Sequence, residues 1–251
     1  MVVGLDKFRE FFAGHEDSYA VIGGSACDII FNTAGIPFRA TKDIDMVISV
    51  EVVSAEFATV FAAFLAAGGY EVREGTEGPR QFYRFQKPKD PQFPFMIELF
   101  SRRPDQFTLP DDVRIVPIPV EDALISLSAI LLDDTYFEAL KANKRIEDGV
   151  AILDERLLIP FKARAYLDLA ARKAEGVGGD SKDIRKQMMD VFRLVQVLSR
   201  DERVTLPEAI RGDLRAFVDV VEAKENYDKK QSNIPFSLHE GIALLRSIYS
   251  L

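Results

Sequence analysis

The sequence feature that most constrains the fold is the stretch from residue 20 to residue 48, which begins with an apolar run that ends in a glycine-rich turn. Residues 20–22 predict a strand, the turn is Gly23-Gly24-Ser25, and the residues from Ala26 to about Ala34 predict a helix. The first backbone N–H groups of a helix lack partners within it and lie at the positive end of its dipole, which favours a bound phosphate. The turn therefore predicts that Gly23, Gly24 and Ser25 bind phosphate.

Two aspartates lie at the other end of this stretch, in the alternating segment Asp43-Ile44-Asp45-Met46-Val47-Ile48, which predicts a strand. Residues two apart in a strand share a face, so Asp43 and Asp45 point the same way. Neighbouring carboxylates repel each other unless a cation lies between them, and their oxygens suit Mg²⁺, whose coordination phosphate oxygens can complete. A phosphate position and a Mg²⁺ position in one short unit indicate a nucleoside triphosphate. The alternative is a tight turn followed by two solvated aspartates at a strand edge.

A third acidic residue interrupts the apolar segment 95–100, which also predicts a strand. Glu98 shares a strand face with Met96 and Phe100, and a carboxylate among apolar residues requires a partner or a cation. Two interpretations follow: Glu98 belongs to the same site as the two aspartates, or it is an edge-strand glutamate that faces water.

The sequence changes character near residue 155, from short strands and helices to long helical patterns. We therefore predict an α/β (α+β) core with a mixed sheet in residues 1–155, followed by a C-terminal helical domain in residues 156–251. Residues 136–148 are mixed and charged and do not clearly predict any element.

The first long helix of this domain is predicted at residues 157–173, where apolar residues follow helical spacing. Pro160 is expected to mark its start, because proline is well tolerated in the first turn of a helix. A second helix follows, with Asp180 or Ser181 as its N-cap.

Lys162 lies among apolar residues in the first of these helices, and Asp190 lies in the second. A lysine that faces a cleft would place a fixed positive charge against triphosphate oxygens, and Asp190 could orient Lys162 or bind the acceptor. The alternatives are a surface lysine whose stem covers apolar neighbours, and a surface carboxylate paired with Lys186 one turn earlier.

Composition argues against several classes of protein. The net charge of −8 at pH 7 does not suit a generally basic nucleic-acid surface. The single cysteine, Cys27, cannot form an internal disulfide, and its context favours a small packed residue over a nucleophile. No apolar run reaches the length of a membrane span, and the N-terminal residues lack the pattern of a signal peptide. We therefore expect a cytoplasmic protein that does not bind membranes.

Motifs in both halves of the chain resemble those of known enzyme families. Gly23-Gly24-Ser25 followed by Asp43-Ile44-Asp45 resembles the signature of the nucleotidyltransferase superfamily, which includes DNA polymerase beta-like and aminoglycoside nucleotidyltransferases. The helical half resembles the C-terminal motifs of the AbiEii-type toxin nucleotidyltransferases, and the whole resemblance covers roughly residues 20–200. Gln187 departs from this family, in which we expect histidine at that place. The matching helical segments are Lys162-Ala163-x-Ala165-x-Leu167-Asp168-Leu169, Arg172-Lys173, Lys182-Asp183-Ile184 and Asp190-Val191-Phe192-Arg193-Leu194.

The resemblance implies a Mg²⁺-dependent nucleotidyltransferase that moves a nucleoside monophosphate from a nucleoside triphosphate to an acceptor hydroxyl. It implies that Asp43, Asp45 and Glu98 hold two Mg²⁺ ions, and that Glu98 is the third ligand or the general base. It also implies that Lys162 neutralises charge during catalysis. The implied nucleotide-binding residues are Gly23, Gly24, Ser25, Thr41, Lys162 and Asp190.

The acceptor implied by the toxin family is RNA or protein, and a toxin function implies a cognate antitoxin. One alternative keeps the fold but uses a small hydroxylated acceptor such as an aminoglycoside. The acidic net charge favours this alternative, because cationic ligands are drawn to acidic clefts. The other alternative is a non-catalytic nucleotide-binding or partner-binding module of the same fold, and the set of three acidic residues argues against it.

Overall fold

The computed structural model describes residues 2–38, 43–48, 55–70, 82–100, 130–131, 133–223 and 234–251. For residues 43, 45–48, 55, 82 and 83 it describes the backbone alone.

The chain divides into two compact units. The sheet unit comprises Met1–Val120 and Lys144–Leu153, and the helical unit comprises Glu121–Asn143 and Asp154–Leu251. The sequence places a single division near residue 155, whereas the chain crosses between the units three times, because Lys144–Leu153 returns to the sheet. The fold class predicted from the sequence is confirmed, since an α/β core with a mixed sheet is followed by a helical C-terminal region.

The sheet unit is built from three helices and six strands within the part of the chain that the structure describes. They are α1 (Leu5–Phe12), β1 (Tyr19–Ile22), α2 (Gly23–Thr33), β2 (Asp43–Ile48), α3 (Ala55–Gly68), β3 (Phe82–Gln86), β4 (Met96–Phe100), β5 (Lys144–Glu147) and β6 (Val150–Leu153). The strands form one mixed sheet in the order β3-β4-β2-β1-β6-β5. β1 is parallel to β6 and β2 is parallel to β4, while the other neighbouring pairs are antiparallel.

Aromatic rings pack α1 and α3 onto the sheet. Phe8 and Phe12 of α1 are buried, with ring centroids 4.5 Å apart, and they lie 5.4 and 5.8 Å from the ring of Tyr19 on β1. Phe57 and Phe64 of α3 lie 5.7 and 5.3 Å from Phe12. Buried rings contribute strongly to the free energy of folding, so this cluster fixes β1 as a central strand whose four residues are all buried.

The helical unit contains α4 (Asp134–Ala142), α5 (Glu155–Ala174), α6 (Ser181–Leu194), α7 (Glu208–Glu222) and α8 (Leu238–Tyr249) among its described residues. Asp133, Asp154, Asp180 and Ser237 cap α4, α5, α6 and α8 by accepting hydrogen bonds from backbone N–H groups of the first turn. Of the two caps that the sequence offers for α6, the structure uses Asp180. No helix in the described ranges is both long enough and apolar enough to cross a membrane.

Pro160 lies inside α5, so the prediction that it marks the start of this helix is wrong. The helix begins at Glu155 because Asp154 caps it. Proline has no N–H group, and Pro160 therefore leaves the carbonyl of Arg156 without its usual helical donor. The hydroxyl of Tyr249, on α8, donates to that carbonyl at 2.9 Å. A donor from 93 residues further along the chain thus replaces the hydrogen bond that the proline removes.

Candidate functional site

Four neighbouring strands bring one residue each into a single row across the sheet. Ile22 of β1 lies opposite Asp45 of β2, Asp45 lies opposite Glu98 of β4, and Glu98 lies opposite Arg84 of β3. Neighbouring strands are about 4.8 Å apart, so these positions follow one another at roughly that spacing. Asp43, two residues before Asp45, shares its face of the sheet. The register therefore gathers Asp43, Asp45 and Glu98, called the acidic positions below, on one face of two adjacent strands.

The carboxylate of Glu98 is held by Arg84, which no sequence pattern indicated. β4 lies between β3 and β2, so the alternative of an edge-strand glutamate is wrong. The Glu98 side chain is 12% exposed, and its Oε1 accepts hydrogen bonds from Arg84 Nε at 2.9 Å and Arg84 Nη2 at 2.5 Å. Arg84 carries no local signal beyond its place in an alternating strand. Its contact with Glu98 depends on the pairing of two strands and cannot be read from either one.

The glycine-rich turn forms the first turn of α2. The helix begins at Gly23, three residues before the predicted start at Ala26, and Gly23 adopts a φ of 65°. Its N-cap residue, Ile22, makes no side-chain hydrogen bond to the helix. Because Ile22 is also the residue opposite Asp45, the N-terminal end of α2 lies next to the acidic positions. Backbone N–H groups and a helix dipole in this place suit an anion.

The structure describes only some of the other residues of the sheet unit that are predicted to bind the nucleotide. Gly24 is half-buried and Ser25 is buried in the first turn of α2. Thr41 lies outside the described residues, so its predicted role stays a prediction.

Lys162 and Asp190 form a buried ion pair within the helical unit. Lys162 Nζ, from α5, lies 3.4 Å from Asp190 Oδ2, from α6, and Arg193 Nη1 lies 3.2 Å from Asp190 Oδ1. Lys162 is 6% exposed and Asp190 is 0% exposed, so the alternatives of a surface lysine and a surface carboxylate are both wrong. Buried charges require partners, which explains why these residues lie together. We call these three residues the helical charge cluster.

Gln187 lies on α6, one turn before Asp190. Its Oε1 atom is buried and has no hydrogen-bond partner among the described residues. The residue thus lies beside the helical charge cluster at the position where the family resemblance leads us to expect histidine.

The acidic positions offer a donor set that suits Mg²⁺. Carboxylates are hard oxygen ligands, and the three positions share a sheet face beside a helix N-terminus, which favours the phosphates that usually accompany this ion. The described side chains include no group of three histidine, cysteine, aspartate or glutamate residues that could hold a metal ion. The side chains of Asp43 and Asp45 are not among them, so the fit to Mg²⁺ is that of the register and of the chemistry of the donors.

The helical unit contains a cavity of about 540 Å³, and neither the acidic positions nor the helical charge cluster lines it. Side chains of α5 and α6 line most of it, with Val221 of α7 and Leu238 of α8. None of the predicted site residues contributes to its wall, so the cavity is not part of the candidate site.

No protein-family model matches the sequence, and no curated protein matches it. The chain is similar to the antibiotic-resistance factor ANT(2'')-Ia, whose solution structure reveals substrate-regulated conformation dynamics. The two share 14% sequence identity over 87% of this chain and 93% of the other, with a TM-score of 0.39.

Proposed function

We propose that the protein is a nucleotidyltransferase, which moves a nucleoside monophosphate from a nucleoside triphosphate to an acceptor hydroxyl. The observation that supports the proposal most is the register of β1, β2 and β4. This register places Asp45 opposite Glu98, with Asp43 on the same face of the sheet. It also places Asp45 opposite Ile22, the residue of β1 that directly precedes α2. An anion position beside three carboxylates suits a triphosphate with its Mg²⁺, because each balances the charge of the other.

The acidic positions would hold Mg²⁺, two ions when the nucleotide is bound, and the ions would neutralise charge on the reacting phosphates. The backbone N–H groups of Gly23, Gly24 and Ser25 bind the outer phosphates. Glu98 acts as a metal ligand rather than the general base, because its carboxylate already accepts two hydrogen bonds from a guanidinium, whose positive charge opposes the uptake of a proton.

The helical charge cluster supplies the remaining positive charge. Lys162 and Arg193 both contact the carboxylate of Asp190. In this proposal Lys162 neutralises charge on the triphosphate, and Asp190 holds the lysine in place. The buried pair supports the orienting role of Asp190 over a direct contact with the acceptor.

The proposed acceptor is RNA or protein, as in the AbiEii-type toxins that the helical motifs resemble, with a cognate antitoxin as partner and the cytoplasm as location. The second candidate is a small cationic acceptor such as an aminoglycoside. The net charge of −8 favours it, since an acidic protein attracts cations and repels a long RNA.

Labelled nucleotides test both candidates in one experiment. The protein is incubated with each α-labelled nucleoside triphosphate and Mg²⁺, together with total RNA, cell extract or a panel of aminoglycosides. Transfer of label to one acceptor class, lost in Glu98→Gln, is the expected result and identifies the acceptor. If the label stays in the triphosphate with every acceptor, the proposed function is contradicted.

A further inference from the structure

We propose that Arg84 is a positioning residue for the acidic positions. It is a built-in counter-cation that holds the Glu98 carboxylate before a divalent cation binds, and it competes electrostatically with that cation. The inference rests on the proposed function, because it requires that the acidic positions bind a divalent cation.

The geometry of the contact supports this role. Arg84 Nε and Nη2 donate to the same oxygen, Glu98 Oε1, at 2.9 and 2.5 Å. The two side chains are 16% and 12% exposed, so solvent screens the pair less than it would an exposed pair. The antiparallel register of β3 and β4 places the two residues directly opposite each other, the arrangement in which side chains of neighbouring strands meet most closely.

Charge explains why an arginine is useful in this place. Carboxylates on one face repel each other at the spacing of adjacent strands, and the acidic positions carry three. Arg84 offsets one of these charges, and a guanidinium stays protonated at every working pH. The protein without metal therefore has a counter-charge at the Glu98 end of the row. The same counter-charge repels a cation that binds to the acidic positions.

This role differs from that of a purely structural ion pair in one measurable respect. Loss of a structural pair lowers the melting temperature by the same amount with and without metal. Loss of a counter-cation lowers the melting temperature of the metal-free protein more, because a bound divalent cation then takes over the neutralisation of Glu98. Removal of Arg84 should also tighten the binding of the cation, since one repelling charge is gone.

The experiment uses Mn²⁺, which accepts the same oxygen ligands as Mg²⁺ and can be followed by electron paramagnetic resonance without nucleotide. We expect Arg84→Gln to bind Mn²⁺ roughly three- to tenfold more tightly than wild type and to show a larger Mn²⁺-induced rise in melting temperature. Arg84→Lys keeps the charge and should bind Mn²⁺ with nearly wild-type affinity.

The matched control is Arg145→Gln on β5, at the opposite edge of the sheet. Arg145 Nε lies 3.3 Å from Glu147 Oε2, so this variant also removes the cation of an ion pair from the sheet unit. Three strand spacings separate β5 from β2, roughly 14 Å, which exceeds the Debye length at physiological salt. Its Mn²⁺ affinity and its Mn²⁺-induced rise should match the wild type.

Two results overturn the inference at different levels. Equal or weaker Mn²⁺ binding by Arg84→Gln, with clear binding by wild type, overturns the role of Arg84 and leaves the proposed function standing. No Mn²⁺ binding by wild type, with or without triphosphate, overturns the proposed function and the inference together.

A second variant keeps the test valid if Arg84→Gln does not fold. Removal of both charges in Arg84→Gln/Glu98→Gln should restore folding, because the counter-cation is not needed once its carboxylate is neutral. If Glu98→Gln folds and the double variant does not, Arg84 supports the fold independently of Glu98, and the inference is wrong.

Discussion

Asp45 occupies the middle of the row that crosses the sheet, between Ile22 on one neighbouring strand and Glu98 on the other. We predict that Asp45→Asn abolishes nucleotidyl transfer and leaves the fold intact. Loss of one carboxylate also relieves repulsion among the acidic positions, so the melting temperature without metal should hold or rise. The measurements are transfer of label and calorimetry with and without Mg²⁺ plus triphosphate.

The control for this prediction is Asp6→Asn, which removes a charge from an exposed residue of α1 in the same unit. Asp43→Asn should behave as Asp45→Asn does, whereas Asp6→Asn should match the wild type. If Asp45→Asn retained the ligand-induced rise in melting temperature of the wild type, the metal assignment would be wrong.

Lys162 has to be tested for stability and for binding separately, because it is buried against Asp190. Breaking a buried ion pair costs about 3 kcal/mol or more, although Arg193 still contacts Asp190 and should reduce that cost. We predict that Lys162→Met lowers the free energy of unfolding and also weakens triphosphate binding by roughly tenfold, as expected for loss of a charge-assisted contact. Urea unfolding and titration calorimetry give the two quantities.

Two further variants separate the explanations for Lys162. Lys162→Met/Asp190→Asn should be more stable than Lys162→Met, because it no longer leaves a buried carboxylate with fewer partners. Lys173→Met removes an exposed lysine from the same helix and should bind triphosphate as the wild type does. Wild-type affinity in Lys162→Met would show that the lysine only supports the fold.

The sequence indicated candidate site residues where a local pattern points to them, and it missed Arg84, whose contact depends on packing. Asp43, Asp45 and Glu98 each interrupt an apolar strand pattern, which is visible without a structure. Arg84 acquires its role from the register between β3 and β4, and Arg193 acquires its own from the carboxylate it shares with Lys162. The contact of Arg84 depends on strand pairing, which a single sequence does not show, whereas Arg193 lies three residues after Asp190 on one helix, a spacing that could have indicated the pair.

At the scale of elements, periodicity predicted the long helices and the apolar strands but not α4, which overlaps the unassigned residues 136–148, or β5, which lies within them. A signal for α4 was present, because Asp133 caps it and Tyr136, Phe137 and Leu140 form a buried helical stripe. β5 is short and its residues are mixed in character, so periodicity does not reveal it, and it pairs with β6 as one arm of a hairpin. A local signal was present here too, because Asp148-Gly149 joins the two strands with φ values of 50° and 72°, and Asp-Gly is a typical two-residue hairpin turn.

Tyr249 supplies the hydrogen bond that Pro160 removes from the interior of α5. Burial raises the pKa of the Tyr249 hydroxyl well above its usual value, so the hydroxyl stays protonated and remains a donor to the Arg156 carbonyl. We predict that Tyr249→Phe lowers the free energy of unfolding by about 1–2 kcal/mol, because the part-buried carbonyl of Arg156 loses its partner. Urea unfolding at neutral pH measures the change.

Pro160→Ala provides the control for this prediction. Alanine at position 160 restores the N–H group that donates to the Arg156 carbonyl in a regular helix, so Tyr249→Phe should cost clearly less in that background. An equal cost in both backgrounds would mean that the hydroxyl does not compensate for the proline.

At the scale of the whole molecule, neither unit is one continuous segment of the chain, because each is built from two segments. α4 belongs to the helical unit, where the Tyr136 hydroxyl donates to Asp213 Oδ2 at 2.9 Å and Arg164 Nη1 donates to the same carboxylate at 2.8 and 2.9 Å. The β5–β6 hairpin then returns to the sheet unit. The carbonyl of Asn143 accepts a hydrogen bond from the N–H of Asp154 at 3.0 Å, so the hairpin leaves and re-enters the helical unit at adjacent points.

This arrangement predicts which fragment folds alone. We expect residues 121–143 joined by a short glycine linker to residues 154–251 to unfold in one cooperative thermal transition, because the fragment keeps Tyr136 with Asp213 and Arg164. The matched control is a fragment of residues 156–251, cut where the sequence alone places the division. It lacks α4 and the Asp154 cap of α5, so we expect a broader transition at lower temperature. Circular dichroism against temperature measures both, and equal transitions would show that α4 adds nothing to the stability of the helical unit.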